Sequence, residues 1–127
     1  MIIKDTGLEG KEISIRDLDV AMNHVGFVRW AWDYKRATYD YKYVDSKDGK
    51  TYYIRVPVEA VEGIIEDSGH AIVKIGEPYI GVHTFPHGVA YDYDFPKHAL
   101  NRAKEKLAEL NKLLKVKEEH EQEHMAH

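Results

Sequence analysis

Residues Phe27 to Ile65 read FVRWAWDYKRATYDYKYVDSKDGKTYYIRVPVEAVEGII, and the alternation inside that stretch decides the fold. Trp30, Trp32 and Tyr34 fall two apart, as do Tyr39, Tyr41 and Tyr43, and as do Tyr52, Ile54, Val56, Val58 and Ala60. Side chains two apart share a face of an extended chain. Period two sustained in aromatic and β-branched residues predicts three antiparallel strands, Phe27 to Tyr34, Ala37 to Val44 and Thr51 to Ile65, with one face buried. Asp45-Ser46-Lys47-Asp48-Gly49-Lys50 supplies the second reversal, because Asp-Gly accepts the positive φ of a tight turn. Only Lys35 and Arg36 separate the first two strands, which is short enough for a hairpin. Pro57 has no N–H to give a ladder, so the third strand is expected to lie at an edge or to bulge there.

Working outward, Met1 to Gly10 offers Ile2, Ile3 and Leu8 for an edge strand. Ser14 followed by Asp17 resembles a capping box, and Leu18, Ala21, Met22 and Val25 then recur at helical spacing until Gly26 closes the helix. Beyond Ile65, Asp67-Ser68-Gly69 marks a turn, and Ala71, Val73 and Ile75 alternate in a fourth strand. From Gly76 to Pro96 glycines and prolines interrupt the pattern, which reads as an aromatic loop with at most a short strand in it. Asp94 can cap a last helix with Pro96 in its first turn, and Leu100, Ala103, Leu107, Leu110 and Leu114 form the stripe that would lie on the sheet. The expected fold is α+β: an antiparallel sheet of about five strands with two helices on one face, in the order strand, helix, four strands, helix. Residues 1–116 are expected to form a single domain and 117–127 an exposed polar tail.

Composition narrows the function classes. A chain of 127 residues with 43% hydrophobic content suffices for one core. A net charge of -4 gives no positive field for a phosphate backbone, so nucleic acid is not an expected partner. Without cysteine there is no disulfide, thiolate metal site or cysteine nucleophile. Met1 to Lys11 holds no signal-peptide core and no run of apolar residues would span a bilayer, so a cytoplasmic location with no membrane partner is expected.

A family likeness rests on Gly81-Val82-His83-Thr84-Phe85-Pro86-His87-Gly88-Val89-Ala90-Tyr91 followed by Phe95-Pro96-Lys97. Asp5-Thr6-Gly7-Leu8-Glu9, Gly26-Phe27-Val28-Arg29, Trp32-Asp33-Tyr34 and Tyr39-Asp40 support it. The chain resembles the YugN-like family of small proteins from Bacillus and its relatives over residues 1 to about 116. The resemblance implies a TBP-like order of elements and transfers no reaction, cofactor or catalytic residue, and fold likeness alone does not carry function.

Four constellations bear on chemistry. His120-Glu121-Gln122-Glu123-His124 matches the H-E-x-x-H pattern of zinc peptidases, but it sits eight residues from the end of a polar segment that offers no rigid third ligand. Adventitious divalent-metal binding by His120, His124 and His127 is the stronger reading there, and no resident metal or cofactor is expected. Tyr79, His83, His87 and Tyr91 form the candidate ligand site, where imidazole and phenol groups would converge on a small polar ligand. Pro86 keeps the two histidines off a common helix face, so the plain alternative is a turn whose imidazoles bond to the backbone. The nine Tyr, three Phe and two Trp could stack bases, but Arg29, Lys35, Arg36, Lys42 and Arg55 are offset by Asp33, Asp40 and Asp48. Core packing or a subunit interface is the better destination for the rings. Ser14, Ser46 and Ser68 read as cap and turn residues, so no catalytic residue is assigned and a non-enzymatic role is favoured. The expectation is a binding or interaction module that forms a homo-oligomer, the alternative a small-molecule binder or enzyme using the loop around His83, His87 and Tyr91.

Overall fold

The computed structural model of the chain describes residues 1–65 and 69–125, and gives side-chain surroundings as far as residue 116. Strand β1 (Glu12–Ser14) leads into helix α1 (Ile15–His24), then come β2 (Val28–Ala31), β3 (Arg36–Val44), β4 (Thr51–Glu62), β5 (Ile72–Ile75), β6 (Tyr79–Thr84), β7 (Gly88–Ala90) and helix α2 (Lys97–Met125). The protein is α+β, with one antiparallel sheet of seven strands and two helices. No helix among the described residues is long and apolar enough to cross a membrane.

β4 is the spine of the sheet. One of its edges pairs with β3 from Arg36↔Glu59 to Val44↔Thr51. The other is shared, its first half pairing with β6 (Tyr52↔Val82 to Arg55↔Tyr79) and its second with β5 (Val58↔Ile75 to Glu62↔Ile72). Pro57 sits where the partner changes. Because Ala60 N–H bonds Lys35 O on the β3 side, alternation turns the backbone of residue 57 toward the shared edge, where its carbonyl accepts from Gly76 N–H at 2.8 Å. The missing N–H thus falls in the break between β5 and β6, and the strand stays central instead of lying at an edge. The bulge in β4 comes later, between Ala60 and Glu62.

The helices lie on the face that carries Tyr39, Tyr41 and Tyr43. Tyr39 OH donates to Asp19 Oδ1 of α1 at 2.6 Å, Tyr43 OH donates to Ala99 O of α2 at 3.1 Å, and Lys106 Nζ stands 4.6 Å from the Tyr41 ring centroid. Tyr52, Ile54, Val56 and Val58 of β4 are buried on the same side, against Leu18 and Met22 of α1 and the Ala103, Leu107, Leu110 and Leu114 stripe of α2. Each Leu, Ile, Val or Met among these contributes roughly 1.5–3 kcal/mol by leaving water. α1 is bounded as its sequence implies: the Ser14 side chain accepts from Asp17 N–H at 3.2 Å, and Gly26 follows at φ 96 with the Tyr41 ring 3.0 Å from where a Cβ would stand.

Several boundaries differ from the sequence reading. The stretch Gly76 to Pro96 is no long loop; it contains β6 and β7, a hairpin with a cis Phe85–Pro86 bond. Ile80 and Val82 of β6 face the core, so the alternation is present but Gly81 disguises it. The first edge strand lies at Glu12–Ser14, with Ile2 in a single bridge to Tyr79. β2 stops at Ala31, because Asp33 Oδ1 accepts from both Lys35 N–H (2.7 Å) and Arg36 N–H (2.8 Å) and folds residues 32–35 into a turn. α2 begins right after Pro96, which places that residue and not Asp94 at the cap position. Its backbone runs on to Met125, past the expected start of a tail at 117. The side chains of the H-E-x-x-H motif and all of His127 lie outside the described residues, as do Asp67 and Ser68 of the expected turn.

The buried phenols couple this packing to pH. Burial, and then the hydrogen bond to Asp19, push the Tyr39 hydroxyl far above the ordinary phenol value, and burial does the same to Tyr52, whose hydroxyl donates to Asp48 Oδ2 at 2.5 Å. A phenol raised in the fold keeps its proton while the unfolded chain gives its proton up. Its contribution to stability is therefore whole below the ordinary value near about 10 and declines as pH rises beyond it, by about 1.4 kcal/mol per pH unit for a buried group. The urea midpoint is expected to be level between about pH 8 and 9 and to fall above about pH 10. Tyr39→Phe should lessen that fall, and equal slopes in the two proteins would contradict it.

Candidate functional site

Among the described residues, no helix lies on the second face of the sheet. Residues opposed across antiparallel strands project to the same side, so the registers place Val28, Asp40, Arg55 and Tyr79 in one row across β2, β3, β4 and β6. The adjoining row runs Trp30, Thr38 and Pro57, and the next on the other side Lys42, Tyr53 and Gly81. Val28, Asp40, Arg55 and Tyr79, with Thr38, Lys42 and Tyr53 beside them, floor a groove of about 760 Å³ that has Trp30 and Trp32 on its outer wall.

Arg55 is the centre of this face. Its Nε stands 3.3 Å from Asp40 Oδ2, its guanidinium lies 5.2 Å from the Tyr53 ring centroid and 5.7 Å from that of Tyr91, and its Nη1 donates to the Tyr91 hydroxyl. Stacking on two rings while pairing with a carboxylate suits a planar guanidinium and would not suit a lysine. The ion pair is imperfect. Arg55 Nε and Asp40 Oδ1 are both shielded from solvent and have no aligned hydrogen-bond partner among the described residues. Burial accordingly raises the Asp40 pKa although Arg55 beside it pulls the other way.

The candidate quartet is only half assembled. Tyr79 and Tyr91 meet edge to face with ring centroids 5.3 Å apart, and burial raises the Tyr79 hydroxyl. His83 lies two residues beyond Gly81 on the same side of β6, and His87 occupies the hairpin turn. Pro86 and Gly88 form the expected turn, but both imidazoles are exposed and neither makes a hydrogen bond or ion pair among the described residues, so the imidazole–backbone bonds expected there are absent. What draws Tyr91 in is Gly81: a Cβ there would stand 2.5 Å from Val89 Cγ1 and 2.8 Å from Tyr91 Cε1. The residues overlooked in the sequence are Arg55 and Asp40. Opposite charges 15 positions apart show no local sign that they are cross-strand neighbours.

A second cluster closes the β3–β4 turn onto α2. Asp45 Oδ2 is 3.0 Å from His98 Nδ1, and Asp48 Oδ2 is 3.6 Å from His98 Nε2, so the imidazole sits between two carboxylates. The three bring one ligand atom each within 4.8 Å of one another. Their positions are already accounted for by packing: each aspartate accepts a turn N–H through Oδ1, from Lys47 and Lys50 respectively, and Asp48 also accepts from Tyr52. The Tyr52 bond is the first cause holding the Asp48 carboxyl below its ordinary value.

An α+β domain with one covered and one uncovered sheet face, crossed by a Gly81–Tyr91 strap, is thus the class of protein in hand. The chain belongs to the YugN-like family, whose model matches residues 4–108. It is similar to the uncharacterized protein YlbA of Bacillus subtilis, at 35% identity over 115 residues covering 88% of this chain and 93% of the relative. It is also similar to the uncharacterized protein YugN of the same organism, at 33% identity over 81 residues, 63% of this chain and 58% of that protein. The crystal structure of an uncharacterized conserved protein YugN from Geobacillus kaustophilus matches with a TM-score of 0.80 and 39% identity, covering 94% of this chain and 98% of the other.

Gly81→Ala probes the strap. The added methyl group cannot fit under Val89 and Tyr91, so the β6–β7 hairpin should lift and stability should drop by about 1–3 kcal/mol. Tyr91→Ala in the same chain should restore part of the loss. Equal denaturation midpoints for wild type and Gly81→Ala would refute the close approach.

Proposed function

We propose that this chain is a non-enzymatic cytoplasmic interaction module that self-associates. One observation carries the reading: Trp30 and Trp32 stand 61% and 64% exposed on the uncovered side of the sheet. Two indoles held in water on regular structure and its adjoining turn are unusual for a small monomer, and large aromatics are enriched where proteins meet. The charges at the centre of the face, Asp40 and Arg55, are spent on each other, which suits a surface that is to be covered. Alternating charge gives a polyanion no continuous positive track. Sedimentation at micromolar concentration is expected to report a species heavier than the 14.7 kDa chain. A lone monomer at those concentrations would remove the self-association from this reading.

A second reading, a binder of a small polar ligand, has its own support in the meeting of Tyr79 with Tyr91 beside Arg55 at the rim of the groove. In it His83 and His87 supply the polar groups of the loop. A fragment screen by thermal shift should then give hits that vanish when both histidines are replaced by alanine. Hits that survive the double substitution would exclude the histidines from the site.

A further inference from the structure

We propose that the open face of the sheet, and not its free β2 edge, is where a second copy of this chain docks, so that the dimer is a sandwich of two sheets with the helices outside. The inference rests on the reading of the chain as a self-associating module and says which surface does it.

Two surfaces compete for the role. β2 is an edge strand with its outer side unpaired. Trp32 N–H bonds Arg36 O on the β3 side, so alternation turns the backbone of Arg29 and Ala31 outward. Four residues of strand, however, offer only a few hydrogen bonds and little area. The open face is five strands wide, in the order β1-β5-β4-β3-β2, and β4 runs along it for 12 residues. With strands about 4.8 Å apart and about 3.3 Å per residue, these five strands cover about 500 Å², and β6 and β7 extend the face to about 650 Å². A stable interface takes about 800 Å² from each partner, so the whole face approaches the need and the edge falls far short of it.

Its charges suit a copy of itself. Arg36, Glu59, Lys74 and Glu12 follow one another across four strands, so positive and negative groups alternate, and Asp40 pairs Arg55 in the row of Val28 and Tyr79. A face of one sign would repel its own copy, whereas one of alternating sign can meet itself about a two-fold axis with opposite charges in register. The relief is likewise self-matching. Trp30 and Trp32 form a ridge along β2 and the turn after it, beside a trough over Thr38 and Arg55, and Trp32 also borders a second hollow of about 570 Å³ over Pro57 and Gly76. A two-fold axis through the face would set each ridge into the other copy's trough, and aligned sheets pack about 10 Å apart.

The protein carries its own reporter, since Trp30 and Trp32 are its two tryptophans. On concentration from the nanomolar to the micromolar range, intrinsic emission should shift to the blue and acrylamide quenching should fall, in step with the sedimentation of a dimer. Trp30→Ser with Trp32→Ser, checked for folding by far-ultraviolet circular dichroism, should raise the dimer dissociation constant by at least about tenfold. Ala31→Pro blocks the outward edge without disturbing pairing to β3 and should leave that constant unchanged. A wild-type monomer whose indoles stay quenchable at every concentration would overturn this proposal and the self-association together, leaving the face to a partner of another sequence. A dimer dispersed by Ala31→Pro but indifferent to the tryptophan substitutions would overturn the face alone, and so would a dimer indifferent to both.

Discussion

A sheet has two faces, and among the described residues the helices cover only one. α1 and α2 close over Tyr39, Tyr43, Tyr52, Ile54, Val56 and Val58, and the core on that side takes residues from β3, β4, β5 and β6. The uncovered side has to hold together with what its own side chains supply. It does so with an ion pair flanked by rings, Asp40–Arg55 between Tyr53 and Tyr91. Aromatic contact also organises the covered side, where Phe27, Tyr41, Tyr43, Tyr52, Phe95 and Tyr93 form an unbroken run of neighbouring rings from the residue before β2 to the segment that leads into α2. The two faces therefore use the same residue types for opposite ends, one to fill a core and one to line a surface.

The sharing of β4 between two partners sets the rest of the topology. β5 and β6 run along the same edge of β4 one after the other, parted at Gly76-Glu77-Pro78 opposite Pro57. A proline at the junction has no N–H to leave unpaired, so the break costs no ladder bond there. Because β6 continues beyond this point, the hairpin to β7 can turn back and carry Tyr91 over Gly81 to Arg55. The strap on the open face is thus a consequence of where one proline and one glycine fall along the sheet.

Membership of the YugN-like family fixes the architecture and leaves the role to the site. The solved YugN structure covers nearly the whole chain, so the layered fold is common to both. Arguments about function then turn on the side of the sheet that packing leaves bare, since the buried rings and the leucine stripe of α2 are sufficiently explained by the core.

Elements whose periodicity is strong and local were legible from the chain alone. The Ser14 cap, the alternation of β3 and β4, the Asp48-Gly49 reversal and the leucine stripe all depend on neighbours within a few residues, and each stands where the pattern put it. Of the candidate quartet, Tyr79 and Tyr91 flank one hairpin and meet, while His83 and His87 stand exposed on the hairpin between them. Only the tertiary structure decided which face of the sheet the helices would take, and with it which aromatics are buried and which are bare. Trp30 and Tyr39 look alike in an alternating strand, and they differ because cross-strand register and helix docking assign them to opposite sides. Nor could the pairing of Asp40 with Arg55 be read from the chain, because a contact between strands depends on register, which is a property of the folded sheet and not of either segment.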